Sequence, residues 1–263
     1  MEEFLSEVQD YFSKLFEEDN VNLTVIAVIA VIAVIAVIAV IIAVMYFLFL
    51  RETNSDVISQ EVLRCIDNYD TDQIYEFPNL LTDGECDKII ELSKDKVERS
   101  TVIGDSKMND YHDSRTSRNT FLSNSADPLM KSIDDRIQRL IGINPENYED
   151  LQVVHYQPGQ EYKAHWDACD PEKDPRCDED YKKGGFRFAT FILYLNDDME
   201  SGETDFPLMG KKVKPQKGKG VLFFNLNDDL KGRKEISKHA GLPPTKGEKW
   251  MCNKWIRLGK FPR

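Results

Sequence analysis

Histidine is scarce in this chain: His112, His155, His165 and His239 are the 4 present among 263 residues, so histidine-dependent chemistry has few candidates. Cysteine is nearly as sparse. The 5 cysteines (Cys65, Cys86, Cys169, Cys177 and Cys252) are odd in number, which rules out complete intrachain pairing. None forms a CxxC pair, which argues against a zinc ribbon. Cys169 and Cys177 flank a proline-containing loop, and that spacing suits either a small disulfide or two free thiols. A basic field is missing too. The formal net charge is -12, residues 1–22 carry 7 acids against 1 lysine, and residues 51–75 carry 6 acids against 2 arginines. About -2 is left for everything after Tyr75, a near-neutral remainder that gives no footing for nucleic acid. The start of the chain also lacks a basic flank and a small-residue cleavage site, which excludes a cleavable signal peptide.

What the chain does have is a long apolar run. Residues 25–50 are 26 consecutive apolar residues, mostly a Val-Ile-Ala repeat. As a helix they would span ~39 Å against a hydrocarbon core of ~30 Å, enough to cross with some tilt. A buried core helix or a β-prone tract is the alternative for so many β-branched residues, but an unbroken run of this length predicts a single transmembrane helix over 23–50. Only Lys14 precedes it, whereas Arg51 and Arg64 follow, so the count of basic residues leans toward a cytoplasmic C-terminal side by one charge.

Before the span, Phe4, Leu5, Val8, Tyr11, Phe12, Leu15 and Phe16 recur at helical spacing among acids and predict an acidic amphipathic tail over 1–22. Asn22-Leu23-Thr24 has the pattern of a glycosylation sequon, pressed against the apolar run. Residues 51–75 read as a polar linker, and the globular domain is expected over 76–263. Thr82-Asp83-Gly84-Glu85 has the form of a capping box opening a helix through about residue 97. Asp127-Pro128 opens a second, with Ile133, Ile137, Leu140 and Ile141 on one face and Gly142 at its end. Short β-rich segments follow at 151–156, 162–167, 186–195, 220–226 and 250–258, separated by turn residues. Helices followed by many short strands predict an α+β domain, a β-barrel or jelly roll buttressed by helices.

His165 and Asp167 form an H-x-D pair in one of those segments. Residues two apart on a strand share a face, so both side chains can reach one ion, with His239 as a third ligand from further along. Two histidines and a carboxylate occupy one face of an octahedral metal, a set that suits non-haem Fe(II) oxygenases. His155 alternates with its neighbour Tyr156 and is expected on the opposite face, and His112 sits in a polar stretch and reads as solvated.

The surroundings of the pair carry more weight than the pair itself. LQVVHYQPGQEYKAHWD, GGFRFATFILYLNDDMESGETDFP, KPQKGKGVLFF and KHAGLPPTKGEKWMCNKWI, with DSRTSRNTFL upstream, together resemble the prolyl 4-hydroxylase family over residues 76–263. The resemblance implies a double-stranded β-helix (jelly-roll) core. It matches His165, Asp167 and His239 to the metal ligands and Lys249 to the lysine that pairs with the distal carboxylate of 2-oxoglutarate. A buried dianion does need a fixed cation to offset its desolvation. Tyr156 and Thr190 match positions that hydrogen-bond the same cosubstrate, and Trp255 matches an aromatic residue of the peptide groove. Two departures stand out. Ser201-Gly202-Glu203-Thr204 replaces the usual double glycine before Glu-Thr, and residues 170–183 are long and acidic, a solvated loop or a lid favouring basic substrates.

The resemblance thus implies hydroxylation of prolyl residues in proteins or peptides. Fe(II) and 2-oxoglutarate serve as cofactor and cosubstrate, ascorbate as reductant, and succinate and CO₂ are released. The alternatives are a dioxygenase acting on another residue or on a small molecule, and a catalytically silent membrane-tethered peptide-binding module. Membrane-bound members of the family work in the lumen of the endoplasmic reticulum, which opposes the one-charge lean. We weigh the family more heavily and expect residues 1–22 in the cytosol and 51–263 in the lumen, an orientation compatible with a Cys169–Cys177 disulfide.

Overall fold

The structure is a computed structural model that describes Ser6, Gln9, residues 29–42, Met45, and residues 58–101, 113–175 and 177–262. The chain divides into two compact units, Met1–Ser55 and Asp56–Arg263. In the first, residues 29–42 and Met45 are helical and exposed. Among the described residues no helix is both long and apolar enough to cross a membrane. The ends of the expected span, most of the amphipathic tail, the sequon at Asn22 and His112 lie outside the described residues.

The second unit begins earlier than the sequence suggests. Part of the stretch read as a linker is a helix, α1 (Gln60–Asn68), because Val62 and Cys65 lie on one side of it and are buried in the core. Its spacing is helical, but two apolar residues among so many polar ones make a weak signal. Helix α2 (Asp83–Ser93) opens with the expected capping box: Thr82 Oγ1 accepts from Glu85 N at 3.3 Å, and Glu85 Oε2 accepts from Thr82 N at 2.8 Å. It stops short of residue 97. Helix α3 (Pro128–Ile141) also starts and ends as expected, with Asp127 accepting from Leu129 N and Gly142 in the left-handed conformation at φ 73°. A short helix, α4 (Cys177–Tyr181), lies within the acidic loop.

Seven antiparallel strands form the larger sheet, in the order β1 (Tyr75–Phe77), β10 (Gly220–Phe224), β6 (Arg187–Tyr194), β13 (Lys249–Arg257), β4 (Leu151–Tyr156), β3 (Arg118–Leu122) and β2 (Glu98–Arg99). Four more form the smaller sheet, in the order β5 (Tyr162–His165), β11 (His239–Gly241), β8 (Thr204–Phe206) and β9 (Lys211–Val213). β7 (Glu200–Ser201) pairs with β12 (Pro244–Lys246). Apart from β2–β3, β3–β4 and β8–β9, the neighbours are distant in sequence, as in a jelly roll, where chain-distant strands are joined across two packed sheets.

The central strands are buried on both faces, and their alternation sends side chains into two cores. One face of β4, β6, β10 and β13 places Val153, Phe191, Leu193, Leu222 and Cys252 in a core with Ile89 of α2 and Met130, Ile133 and Ile137 of α3. The other face places Val154, Tyr156, Ile192, Tyr194, Val221, Phe223 and Met251 against Phe206 and Val213 of the smaller sheet. Helices thus brace the outer face of the large sheet and leave the inner face for chemistry.

Candidate metal centre

His165 ends β5 and His239 begins β11, and the two are direct partners across the strand pair. Antiparallel pairing places their side chains together, with ring centroids 4.4 Å apart. Asp167 was expected within the same strand, but β5 ends at His165, and the carboxylate comes in from just beyond the ladder. It still converges: Asp167 Oδ1 lies 3.7 Å from His165 Nε2, and Oδ2 lies 3.7 Å from His239 Nε2. The ligand atoms of all three residues fall within 4.8 Å of one another.

The protonation of this cluster follows from its backbone contacts. His165 Nδ1 lies 2.8 Å from the Lys163 carbonyl and His239 Nδ1 lies 2.9 Å from the Ser237 carbonyl. A carbonyl only accepts, so each Nδ1 carries a proton, which leaves Nε2, the atom facing Asp167, as the one able to bind a metal. Burial and the neighbouring His239 push the His165 pKa down, which keeps that imidazole neutral. Burial by itself would raise Asp167, but His239, His165 and Arg187 outweigh it and hold the carboxyl below its ordinary range. Two imidazole nitrogens and one carboxylate make a donor set for a divalent cation with open positions.

Lys249 lies further along the inner face, directly opposite Tyr156 in the β13–β4 pairing. It is fully buried, and among the described residues its ammonium has no hydrogen-bond partner. The rings of Tyr156 and Tyr194 wall it at 5.1 and 5.8 Å. Burial lowers its pKa from 10.5 to about 7. A solitary buried cation of this kind is costly unless an anion joins it, so the position is suited to receive a carboxylate. Tyr156 shares the pocket, and its phenol is pushed up to about 12 by burial. Gly241 leaves room for that hydroxyl, since a Cβ there would come within 2.9 Å of it.

Thr190 has a partner other than the cosubstrate it was matched to. Its hydroxyl donates to Asp167 Oδ2 at 2.8 Å and accepts from Asn225 Nδ2 at 2.8 Å, which commits its only proton to the carboxylate. Trp255, directly across from Thr190, is 5 % exposed, and the Arg187 guanidinium lies 3.6 Å from its ring centroid. The indole N–H approaches Asp167 without forming a well-aligned hydrogen bond. Glu149 holds Arg187 through two bonds of 2.6 and 2.8 Å and also binds Arg257. At the expected groove position, then, the guanidinium is the more accessible group. Sequence reasoning missed Arg187, Glu149 and Asn225, because the pairings that connect them join residues far apart in the chain. It also missed Arg115, which lies over the Tyr162 ring and donates to Gln152 Oε1.

The other histidine and the cysteine pair fall outside the cluster. His155 is on the opposite face, as expected, stacked on Trp250 and 2.9 Å from Glu248. Cys169 and Cys177 form a disulfide, which removes both thiolates as metal ligands and decides between the two readings of their spacing.

Residues 151–257 match the family model described as the 2OG-Fe(II) oxygenase superfamily, and this stretch contains the whole cluster and Lys249. Prolyl 4-hydroxylase 2 of Arabidopsis thaliana is 34 % identical over 231 residues, covering 80 % of this chain and 74 % of its own length. The chain belongs to the prolyl 4-hydroxylase family. A putative prolyl 4-hydroxylase of Acanthamoeba polyphaga mimivirus is 35 % identical over 183 residues, covering 70 % of this chain and 73 % of its own. The viral collagen prolyl hydroxylase of Paramecium Bursaria Chlorella virus-1, solved as a 2OG complex, superposes with a TM-score of 0.56 at 29 % identity. That match covers 70 % of this chain and 94 % of the viral one. Membership of this oxygenase family implies Fe(II) and 2-oxoglutarate. The residues present fit both: a two-histidine, one-carboxylate set whose Nε2 atoms face the carboxylate, and a buried ammonium with no hydrogen-bond partner among the described residues.

Proposed function

We propose that this protein hydroxylates prolyl residues of proteins or peptides to 4-hydroxyproline, coupled to decarboxylation of 2-oxoglutarate. The observation that carries the reading is Lys249, buried with no hydrogen-bond partner among the described residues, on the same sheet face as Thr190, whose hydroxyl binds Asp167. His165, Asp167 and His239 would hold the iron, and Lys249, near Tyr156, would pair with the distal carboxylate of 2-oxoglutarate. When bound, the iron and its cosubstrate use O₂ to hydroxylate the target C–H bond, releasing succinate and CO₂. The chain's own residues orient and insulate that chemistry. Thr190 and Asn225 fix the carboxylate, Tyr156 and Tyr194 keep water from Lys249, and Arg187 over Trp255 borders the side where a peptide enters. Ascorbate would serve as the reductant.

The same reading includes a single-pass anchor over residues 23–50, with residues 1–22 in the cytosol and the catalytic unit in the lumen of the endoplasmic reticulum. The 26-residue apolar run supports the anchor. The disulfide supports an oxidising compartment.

The direct test measures succinate release together with the gain of one oxygen on a proline-rich peptide by mass spectrometry. His165→Ala, Asp167→Ala and His239→Ala should each abolish both while the domain remains folded. Near-normal turnover of any one of them, with iron supplied, removes that residue from the ligand set.

A further inference from the structure

The pairing of β5 with β11 ends at His165 and His239, so backbone hydrogen bonding stops before the third ligand is reached. Something else must hold Asp167 and the segment leading into His239 at a fixed separation. The residue between the two H-x-D ligands, Trp166, makes that connection. Its indole Nε1 donates to the Glu235 carbonyl at 3.1 Å, in the short 3₁₀ turn Glu235–Ser237 that leads into His239. Arg233 lies 3.7 Å and Lys238 4.4 Å from its ring centroid, so cations just before and just after that turn rest on one indole. Arg233 also reaches Asp170 at 3.6 Å and Glu235 at 3.1 Å, tying both segments to the same guanidinium. The turn is itself rigid, with Ser237 Oγ donating to the Lys234 carbonyl and the Ser237 carbonyl receiving His239 Nδ1–H. A displacement of the turn would therefore carry the His239 ring with it.

We infer that Trp166 is a positioning residue for the metal centre: it clamps the 233–238 turn to the H-x-D segment and so sets the distance between Asp167 and His239. The inference rests on the reading of His165, Asp167 and His239 as metal ligands. Trp166 is not itself one of the ligand residues; it acts by holding two ligand-bearing segments whose ladder is too short to hold them. Groups that orient ligands from outside the coordination sphere are worth about ten- to hundredfold in metal affinity.

The test is Mn(II) binding by the full-length chain, followed through loss of the free-ion EPR signal. Trp166→Leu should weaken binding about ten- to hundredfold, with the far-UV circular dichroism spectrum unchanged. Trp166→Phe keeps a ring for both cations and loses only the N–H, so it should recover part of that loss. Wild-type affinity in folded Trp166→Leu overturns the clamp, and equal weakening by Phe and Leu overturns the part assigned to the cations. Should Trp166→Leu fail to fold, Arg233→Met/Lys238→Met decides, since it leaves the indole in place. Weakened Mn(II) binding there supports the clamp, and unchanged binding overturns it. His239→Ala separates the two readings: tight Mn(II) binding in that variant refutes the ligand set itself, whereas failure of the Trp166 variants alone refutes only the clamp.

Discussion

Among the described residues the Lys249 ammonium has no hydrogen-bond partner, and its titration reflects that. Its pKa in the folded chain is about 7 against an ordinary 10.5, because burial disfavours the ammonium. Between those values the unfolded chain binds a proton that the folded chain does not, so stability without cosubstrate rises with pH across that window. Lys249→Met should abolish the rise, measured as urea midpoints between pH 7 and 10. Binding shows the opposite trend. Above about pH 7 the lysine must take up a proton as the dianion arrives, so 2-oxoglutarate affinity should fall by up to about tenfold per pH unit. Calorimetry on the Mn(II)-loaded protein should show this dependence in the wild type and none in Lys249→Met. The variant should also bind 2-oxoglutarate about ten- to hundredfold more weakly, as expected for a lost charged hydrogen bond of about 1.5–3 kcal/mol. An unchanged cosubstrate dependence removes Lys249 from the site.

Among the secondary-structure elements, the turn after β7 holds the clearest departure from the resembled family. Ser201 stands where a glycine is usual, and it adopts φ 66°, followed by Gly202 at φ 85°. The chain tolerates serine there at a cost, since a left-handed conformation disfavours a Cβ by about 1–2 kcal/mol. Ser201→Gly relieves that strain but adds freedom to the unfolded chain, so a net gain of about 0.5–1 kcal/mol is expected. Urea denaturation checks it, and a lower midpoint would show that the Ser201–Glu203 hydrogen bond of 3.1 Å outweighs the strain. Gly202 is constrained by its φ of 85° rather than by space, because a Cβ there would make only ordinary contact, 3.5 Å, with the Lys249 side chain. The three-residue strands β8, β9, β11 and β12 are too short to show period-two alternation, so none was foreseen. The long inner strands were foreseen to within two residues, since their apolar runs are continuous.

For the whole molecule, the open prediction concerns topology. The basic-residue count and the family expectation point in opposite directions, and the Cys169–Cys177 disulfide favours the second. In sealed microsomes, added protease should trim the first 22 residues and spare the catalytic unit. Loss of that unit with retention of the tail would reverse the orientation and place the substrate in the cytosol.

The converging His165, Asp167 and His239 and the buried Lys249 were singled out in the sequence because each lies in a local motif that resembles the family's. The capping box and Pro128 were legible for the same kind of reason: helix ends are decided within four residues. What supports those groups was not legible. Asn225 behind Thr190, Glu149 behind Arg187 and the 233–238 turn beside Trp166 meet only when strands distant in sequence pair. Helix α1 within a supposed linker belongs with them, since two buried residues gain their meaning from the core they meet. Local sequence determined which residues are candidates for the chemistry; long-range strand pairing decided where they stand, because hydrogen-bond registers between distant segments leave no local pattern.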